Sequence, residues 1–135
     1  MQMNLIGLTG NFSMAKRVPR TRGGGRYTEA AYRGFLRAGI RAKWMRWAPK
    51  FDCLNASRRK RQGSGRHKYE YQCAECGNWY LQKEVDVDHI TPAGGFQTAE
   101  EFGVWAFNIM CESEKLQVLC KEKCHKAKTK RERKR

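Results

Sequence analysis

Two pairs of cysteine residues have the side chains and the spacing of a metal site. Cys73 and Cys76 form the first pair, and Cys120 and Cys124 form the second. Four thiolates are enough for the closed tetrahedral shell of a structural Zn²⁺. A redox Cys-x-x-Cys motif would need one pair only, in a thioredoxin-like context that the sequence lacks. The spacing therefore predicts a structural Zn²⁺ that links the beginning of a folded unit to its end.

Three further residues could together hydrolyse a phosphodiester bond. Such hydrolysis needs a general base that activates water, a cation that stabilises negative charge, and groups that hold the phosphate. His89 is the candidate base, because histidine exchanges protons near neutral pH. Asp88 offers a hard oxygen ligand and His125 a second ligand for a divalent cation, with Mg²⁺ or Mn²⁺ as the expected metal. We therefore predict His89, Asp88 and His125 as catalytic residues, of which Asp88 and His125 bind metal.

The strand that carries Asp88 and His89 sets a geometric condition on this site. Residues 83–90 are predicted to form a strand, with Val85 and Val87 on one face and Asp86 and Asp88 on the other. This alternation puts Asp88 and His89 on opposite faces, so both reach one site only if the strand is distorted at its end. Pro92 and the two glycines that follow it favour such a distortion.

The elements around the candidate site are short strands and helices, which predicts an α+β fold. Residues 69–73 are predicted to form a strand that leads into the first cysteine pair, and residues 116–119 an apolar strand before the second. Thr98 and Glu101 form a capping box, so a helix is expected to begin there. From residue 121 the chain is predicted to be a final helix that continues into a basic tail.

The chain before residue 69 is predicted to be a basic arm. Residues 28–47 carry apolar side chains at helical spacing, which we expect to pack in a core. Arginines 33, 37 and 41 form a stripe on another face, which is suited to phosphates. The predicted organisation is a basic disordered tail (1–27), a basic helical DNA-binding arm and polar linker (28–68), and a metal-binding unit with a basic C-terminal helix (69–135).

The distribution of charge predicts a nucleic acid as the partner. The net charge is +15, with 17 Lys and Arg against 2 acidic residues in 1–68, 2 against 9 in 69–120, and 9 against 2 in 121–135. Basic arms suit a polyphosphate backbone, whereas the acidic centre would repel it unless a divalent cation is bound there. The sequence shows neither a secretory leader nor an apolar stretch long enough for a membrane, so we expect a cytoplasmic, reducing setting for the thiolates. No protein partner is indicated.

Taken in order, these features resemble the HNH endonuclease family, the zinc-bearing branch of the ββα-metal nucleases. The matching stretches fall within residues 69–130 and are Cys73-x-x-Cys76, Val87-Asp88-His89-Ile90-x-Pro92, Leu116-Gln-Val-Leu-Cys120 and Cys124-His125-x-x-Lys128-Thr129. The arrangement looks especially like the small free-standing HNH proteins of tailed bacteriophages. The resemblance alone leaves open whether such a protein acts as a homing endonuclease of a mobile element, in packaging or in degradation of host DNA.

The resemblance implies a specific fold, chemistry and set of roles. Residues 69–135 would be an HNH nuclease domain, with His89 as general base, Asp88 as the metal-binding acid before it and His125 as the last histidine of the metal site. The four cysteines would bind the structural Zn²⁺. The implied reaction is metal-dependent nicking or cleavage of DNA that leaves 5′-phosphate and 3′-hydroxyl ends, in the cytoplasm of an infected bacterium.

Two departures from the family pattern keep other functions open. The family usually has an asparagine before the second strand, where it orients the catalytic histidine, but this chain has Lys115 there and its Asn108 lies seven residues upstream. The second cysteine pair has three intervening residues where two are usual. The alternatives are a catalytically decayed, zinc-stabilised nucleic-acid-binding protein, or a phage packaging or assembly factor.

Overall fold

A computed structural model describes residues 16–134, which form a mixed α+β protein with three small antiparallel sheets. The chain divides into two units, Met1–Leu36 and Arg37–Arg135. No helix within residues 16–134 is both long and apolar enough to cross a membrane.

A hairpin precedes the first helix, and it corrects the expectation of an unstructured segment there. Strands β1 (Arg20–Arg22) and β2 (Tyr27–Thr28) pair in antiparallel fashion. The turn between them consists of three glycines and Arg26, and the glycines have φ of 62°, 68° and 80°, a region that glycine enters without the steric cost of a side chain. The Arg22 guanidinium lies 3.0 Å from the Glu29 carboxylate, so the hairpin is held to the start of the helix. Residues 1–15 of the predicted tail lie outside the described residues.

Helix α1 (Glu29–Trp44) begins where the sequence predicts but does not supply core residues. The Thr28 hydroxyl accepts a hydrogen bond from Ala31 N–H, which caps the first turn. None of the α1 side chains is buried, and Phe35 is 57% exposed. The expected packing of this apolar face in a core is therefore wrong. After α1 ends, Pro49 stands in the first turn of α2 (Ala48–Ala56), where its missing N–H is not needed.

A three-stranded sheet includes part of the predicted linker. Its strands are β3 (Arg58–Lys60), β4 (Tyr69–Gln72) and β5 (Trp79–Tyr80), in the order β3-β4-β5. Strand β3 lies within residues 57–68, whose polar composition predicted a linker. The strand forms because it pairs with β4, with Arg58 opposite Tyr71 and Lys60 opposite Tyr69.

Strands β6 (Val85–His89) and β7 (Leu116–Cys120) form the hairpin on which the candidate site lies. They pair without interruption from Val85 opposite Cys120 to His89 opposite Leu116. Helix α3 (Ala99–Ile109) lies in the connection, and Thr98 Oγ1 caps it by accepting from Glu101 N–H at 3.2 Å. A π-helical turn (Lys121–His125) and helix α4 (Lys126–Arg133) follow β7.

Two small clusters of buried residues hold the hairpin to its surroundings. One consists of Tyr71, Val85 and Val118, so it joins β4 to the hairpin. The other consists of Leu119 and three of the four predicted zinc ligands, Cys73, Cys120 and Cys124. Because apolar cores of this size stabilise a fold only weakly, a metal bound by the cysteines would add a large share of the stability.

Candidate active site and metal centre

The four predicted zinc ligands come together in one cluster. The sulfur atoms of Cys73, Cys76, Cys120 and Cys124 all lie within 4.8 Å of one another. Sulfurs bound tetrahedrally to one Zn²⁺ lie about 3.8 Å apart, given a Zn–S distance of about 2.3 Å. The cluster is therefore within metal-binding distance and has the ligand type that Zn²⁺ prefers.

Local backbone geometry explains how each cysteine pair converges. Gly77, with φ of 74°, lets the chain turn sharply after Cys76, and Gly77 N–H donates to the Cys73 carbonyl at 3.0 Å. In the second pair, the π-helical turn replaces the α-helix that the sequence predicts. Cys124 N–H donates to Cys120 Sγ at 3.4 Å, so the pair converges despite its extra residue. The unusual spacing is thus compatible with one metal site.

The surroundings of the cysteines favour thiolate at some positions and thiol at others. A hydrogen bond from the Tyr80 hydroxyl, 3.3 Å from Cys76 Sγ, lowers the pKa of Cys76 to about 6. Burial and hydrogen bonds with the neighbouring sulfurs raise the pKa of Cys124 to about 12. Metal binding by all four sulfurs would therefore release a proton from Cys124.

A second group of metal-binding side chains lies on one face of the β6–β7 hairpin. His125 Nδ1 lies 3.3 Å from Asp86 Oδ2, and His125 Nε2 lies 3.8 Å from Asp88 Oδ1. Asp88 Oδ2 is buried, and the Lys128 ammonium nitrogen lies 2.7 Å from it. An imidazole beside two carboxylates nevertheless offers ligand types that a hard divalent cation binds. Asp88 and His125 meet as predicted, and Asp86 joins them.

His89 is held in one tautomer and one orientation by two contacts. Its Nε2 lies 2.8 Å from the carbonyl oxygen of Ile109. A carbonyl oxygen can only accept, so Nε2 carries the hydrogen, and in the neutral ring Nδ1 has the free lone pair. The imidazole also packs on Trp44, with ring centroids 4.6 Å apart. His89 is therefore arranged to accept a proton at Nδ1.

The expected distortion of the strand end does not occur. Strand β6 keeps its regular register through His89, so His89 lies on the face opposite Asp88. Both residues nevertheless line one cleft of about 660 Å³, together with Asp86 and His125. This is because His89 is the last residue of the strand, where side chains of both faces reach the open end.

Lys128 contacts both Asp88 and His89 at the end of β6. Its ammonium nitrogen lies 2.7 Å from Asp88 Oδ2 and donates to the His89 carbonyl oxygen at 2.8 Å. The contact with Asp88 is an ion pair. Glu132, one turn further along α4, is a second anionic partner. Burial lowers the pKa of Lys128, but Asp88 and Glu132 raise it more, so that it lies above its usual value of 10.5.

We expect Lys128→Met to destabilise the fold by about 2 kcal/mol, between the values for exposed and buried ion pairs, because Asp88 would keep its charge without a partner. The pKa of Lys128 in the folded state lies above 10.5. Its contribution to stability is therefore fully present below pH 10.5 and is lost as the pH rises through the folded-state pKa. Urea unfolding at several pH values, without added Mg²⁺ or Mn²⁺, would measure the loss of stability and its dependence on pH. The exposed pair of Lys126 with Glu122 provides the control, Lys126→Met, which should cost less than about 0.5 kcal/mol. Equal losses in the two variants would contradict a special role for Lys128.

The residue that orients His89 is one that sequence reasoning missed. Neither Lys115 nor Asn108 hydrogen-bonds to the imidazole; the Ile109 carbonyl does. Among the described residues Lys115 makes backbone hydrogen bonds: its carbonyl accepts from Ile90 N–H at 3.0 Å, and its N–H donates to the Glu112 carbonyl at 3.1 Å. No sequence signal marks a carbonyl acceptor, because every residue has a backbone carbonyl. The sequence does carry a signal for Asp86 and for Lys128. Asp86 stands two residues before Asp88, and Lys128 stands three residues after His125.

Lys115→Ala is consequently expected to change the rate of DNA cleavage by no more than about threefold, or under 1 kcal/mol in the barrier. Alanine keeps the backbone carbonyl that Ile90 uses. The measurement is the nicking rate of supercoiled plasmid at saturating protein. A loss of about a hundredfold would mean that the Lys115 side chain takes the orienting role that its sequence position suggests.

No protein-family model, curated protein or solved structure matches this chain. The residues and their geometry therefore carry the functional assignment by themselves.

Proposed function

We propose that the protein is a metal-dependent endonuclease of the HNH type that hydrolyses phosphodiester bonds in DNA. The observation that carries this proposal is one cleft that is lined by Asp88, His125 and a tautomer-fixed His89. A purely structural site has no need for a base with a free lone pair beside a cluster of hard ligands. The strand order β6, β7, π turn and α4 supports the finer assignment of a ββα-metal unit.

The catalytic roles follow from the side chains that face the cleft. Asp88 and His125, with Asp86 beside them, would hold a divalent cation such as Mg²⁺ or Mn²⁺. When bound, such a cation stabilises negative charge on the phosphate and on the leaving oxygen. His89 Nδ1 accepts a proton from the attacking water, whose oxygen then bonds to phosphorus. The P–O3′ bond breaks and the leaving oxygen takes a proton from solvent water, which leaves a 5′-phosphate and a 3′-hydroxyl.

The same proposal includes a structural Zn²⁺ at the four cysteines. This metal would connect the knuckle after β4 to the turn before α4, and α4 carries Lys128. His125 follows the ligand Cys124 directly, so the zinc site would fix the position of this catalytic ligand. Zn²⁺ would thus act on catalysis only through the geometry of His125.

Charge supports DNA as the substrate. The excess of 15 positive charges lies mainly outside the hairpin that carries the acidic site. A polyanion would be attracted by the basic segments, while a cation at Asp86 and Asp88 would offset the repulsion at the cleft. We infer contact through phosphates rather than bases, so that binding weakens steeply with salt.

One observation favours the alternative of a nucleic-acid-binding protein without catalysis. Lys128 Nζ lies 2.7 Å from Asp88 Oδ2, so a lysine ammonium already pairs with the carboxylate that would hold a catalytic cation. If this ion pair is permanent, the acidic cluster is neutralised by the chain itself. A permanent pair would leave DNA binding intact but exclude the metal.

Incubation of supercoiled plasmid with the protein separates these two functions. The proposal expects nicked or linear DNA with Mg²⁺ or Mn²⁺, and none with excess chelator. Binding to the same plasmid is followed in parallel by gel shift. A protein that binds plasmid and cuts it with neither metal would support the non-catalytic alternative.

A further inference from the structure

We propose that duplex DNA binds to residues 58–70, the part of the β3–β4 hairpin that includes β3, the turn and the start of β4. This segment is here called the basic ribbon. This inference rests on the proposed function, since it takes DNA as the partner. It goes further because it assigns DNA binding to a segment that the sequence analysis predicted to be a linker, instead of to the arginine stripe of α1.

The charge of the basic ribbon is dense and almost unopposed. It contains a single acidic residue, Glu70, and six exposed cationic residues, Arg58, Arg59, Lys60, Arg61, Arg66 and Lys68. Among residues 16–134, Arg59 is the only one of the six that forms an ion pair, with Glu70 at 2.7 Å. The other five cations are therefore available for an external polyanion, and the phosphates of a nucleic acid are complementary to them.

The basic ribbon is a folded element and not a flexible linker. Arg58, Arg59 and Lys60 pair with residues of β4 in regular antiparallel register. The pairing continues beyond the strand, since Arg61 N–H donates to the Lys68 carbonyl at 2.9 Å. Gly63, with φ of 97°, lies in the turn. Strand β5 pairs with β4 only at Tyr71 and Gln72, so residues 58–70 form a two-stranded ribbon. The major groove of B-form DNA admits an element of this width.

Two arginines of the basic ribbon are oriented by aromatic rings. The Arg58 guanidinium lies 4.1 Å from the ring centroid of Tyr69, and the Arg59 guanidinium lies 3.7 Å from that of Trp79. A stacked guanidinium uses its face, which leaves the edge N–H groups of Arg58 free to donate. Arg59 donates its Nε–H to Glu70, so only its remaining edge groups are free. Because stacking limits side-chain motion before binding, less conformational entropy is lost when a phosphate is contacted.

Another explanation for cations on β3 is that charge on an edge strand prevents pairing with other chains. That explanation requires charge on the three residues of β3 alone. It does not account for Arg61, Arg66 and Lys68, which lie in and beyond the turn. These residues therefore distinguish a binding surface from a protected edge.

The test measures the affinity of the full chain for a short duplex DNA at several salt concentrations. We expect Arg61→Gln and Arg66→Gln each to lower the slope of log affinity against log salt by about 0.9, which weakens binding about fivefold at 0.15 M salt. Lys83→Gln removes the same charge from an exposed site between β5 and β6 and should leave the slope unchanged. Cleavage by Lys83→Gln should remain at the wild-type rate, because Lys83 belongs neither to the cleft nor to the basic ribbon.

The outcomes separate this inference from the proposed function. Suppose that wild type binds duplex DNA and that the salt slopes of Arg61→Gln and Arg66→Gln equal that of Lys83→Gln. Then the basic ribbon is not the DNA-binding surface, although the endonuclease proposal stands. If wild type does not bind duplex DNA, both proposals fail. Thermal unfolding of each variant checks that the fold is retained. We expect it to be retained, because the side chains of Arg61 and Arg66 are exposed.

Discussion

Replacement of His89 by alanine is expected to abolish DNA cleavage while DNA binding remains. The hydrogen bond of Nε2 to the Ile109 carbonyl leaves Nδ1 free, and the Trp44 ring holds the imidazole in place. Removal of a positioned general base typically lowers the rate about 10²- to 10⁴-fold. Single-turnover nicking of plasmid would measure the rate, and a gel shift with the same DNA would measure binding.

The site also offers a chemical control for this prediction. In His89→Gly, free imidazole can enter the space beside Trp44 and the Ile109 carbonyl, so it should restore part of the lost activity. Imidazole should not increase cleavage by wild type. A His89→Ala variant that cuts within about threefold of wild type would show that His89 is not the base.

Loss of one cysteine from the cluster is expected to have the largest effect on stability. Structural Zn²⁺ contributes about 10–16 kcal/mol to the folding of small zinc domains near neutral pH. Cys73 is only 1% exposed and belongs to the buried cluster that the metal would join. Cys73→Ser should therefore lose its zinc and its cooperative thermal unfolding transition. Metal analysis of the purified protein and a thermal melt are the two measurements.

The chain provides a matched control for the zinc prediction. Cys53 is a half-buried free cysteine that does not belong to the four-sulfur cluster. Cys53→Ser should keep zinc and should melt within a few degrees of wild type, since a single substitution of this kind typically changes stability by about 1 kcal/mol. Wild type without zinc, or Cys73→Ser with an unchanged melt, would contradict a structural metal.

Features with a fixed local spacing could be predicted from the sequence. The four cysteines converge because each pair is brought together by one turn, and the capping box at Thr98 begins α3 at the predicted residue. Asp88 and His125 meet because a strand and the turn after its partner strand are adjacent in any such hairpin. These relations depend on a few neighbouring residues and not on the remainder of the fold.

Features that depend on tertiary contacts could not be predicted. Strand β3 has no apolar alternation of its own and forms only because Tyr69 and Tyr71 lie opposite it. The contact of His89 with Trp44 joins residues 45 positions apart, and its bond to Ile109 uses a backbone atom that no sequence marks. The apolar face of α1 predicted a core, but periodicity alone does not reveal which side of a helix other elements cover.

The most direct test of the proposed endonuclease is cleavage of a defined DNA duplex in water enriched in heavy oxygen, with Mg²⁺ or Mn²⁺. Attack of water on phosphorus with loss of O3′ predicts heavy oxygen in the 5′-phosphate of the product and none in the 3′-hydroxyl. The same reaction with His89→Ala should give no product above the chelator control. Products with 3′-phosphate ends, 5′-phosphates without heavy oxygen, or no cleavage by wild type with either metal would contradict the proposed hydrolysis at this cleft.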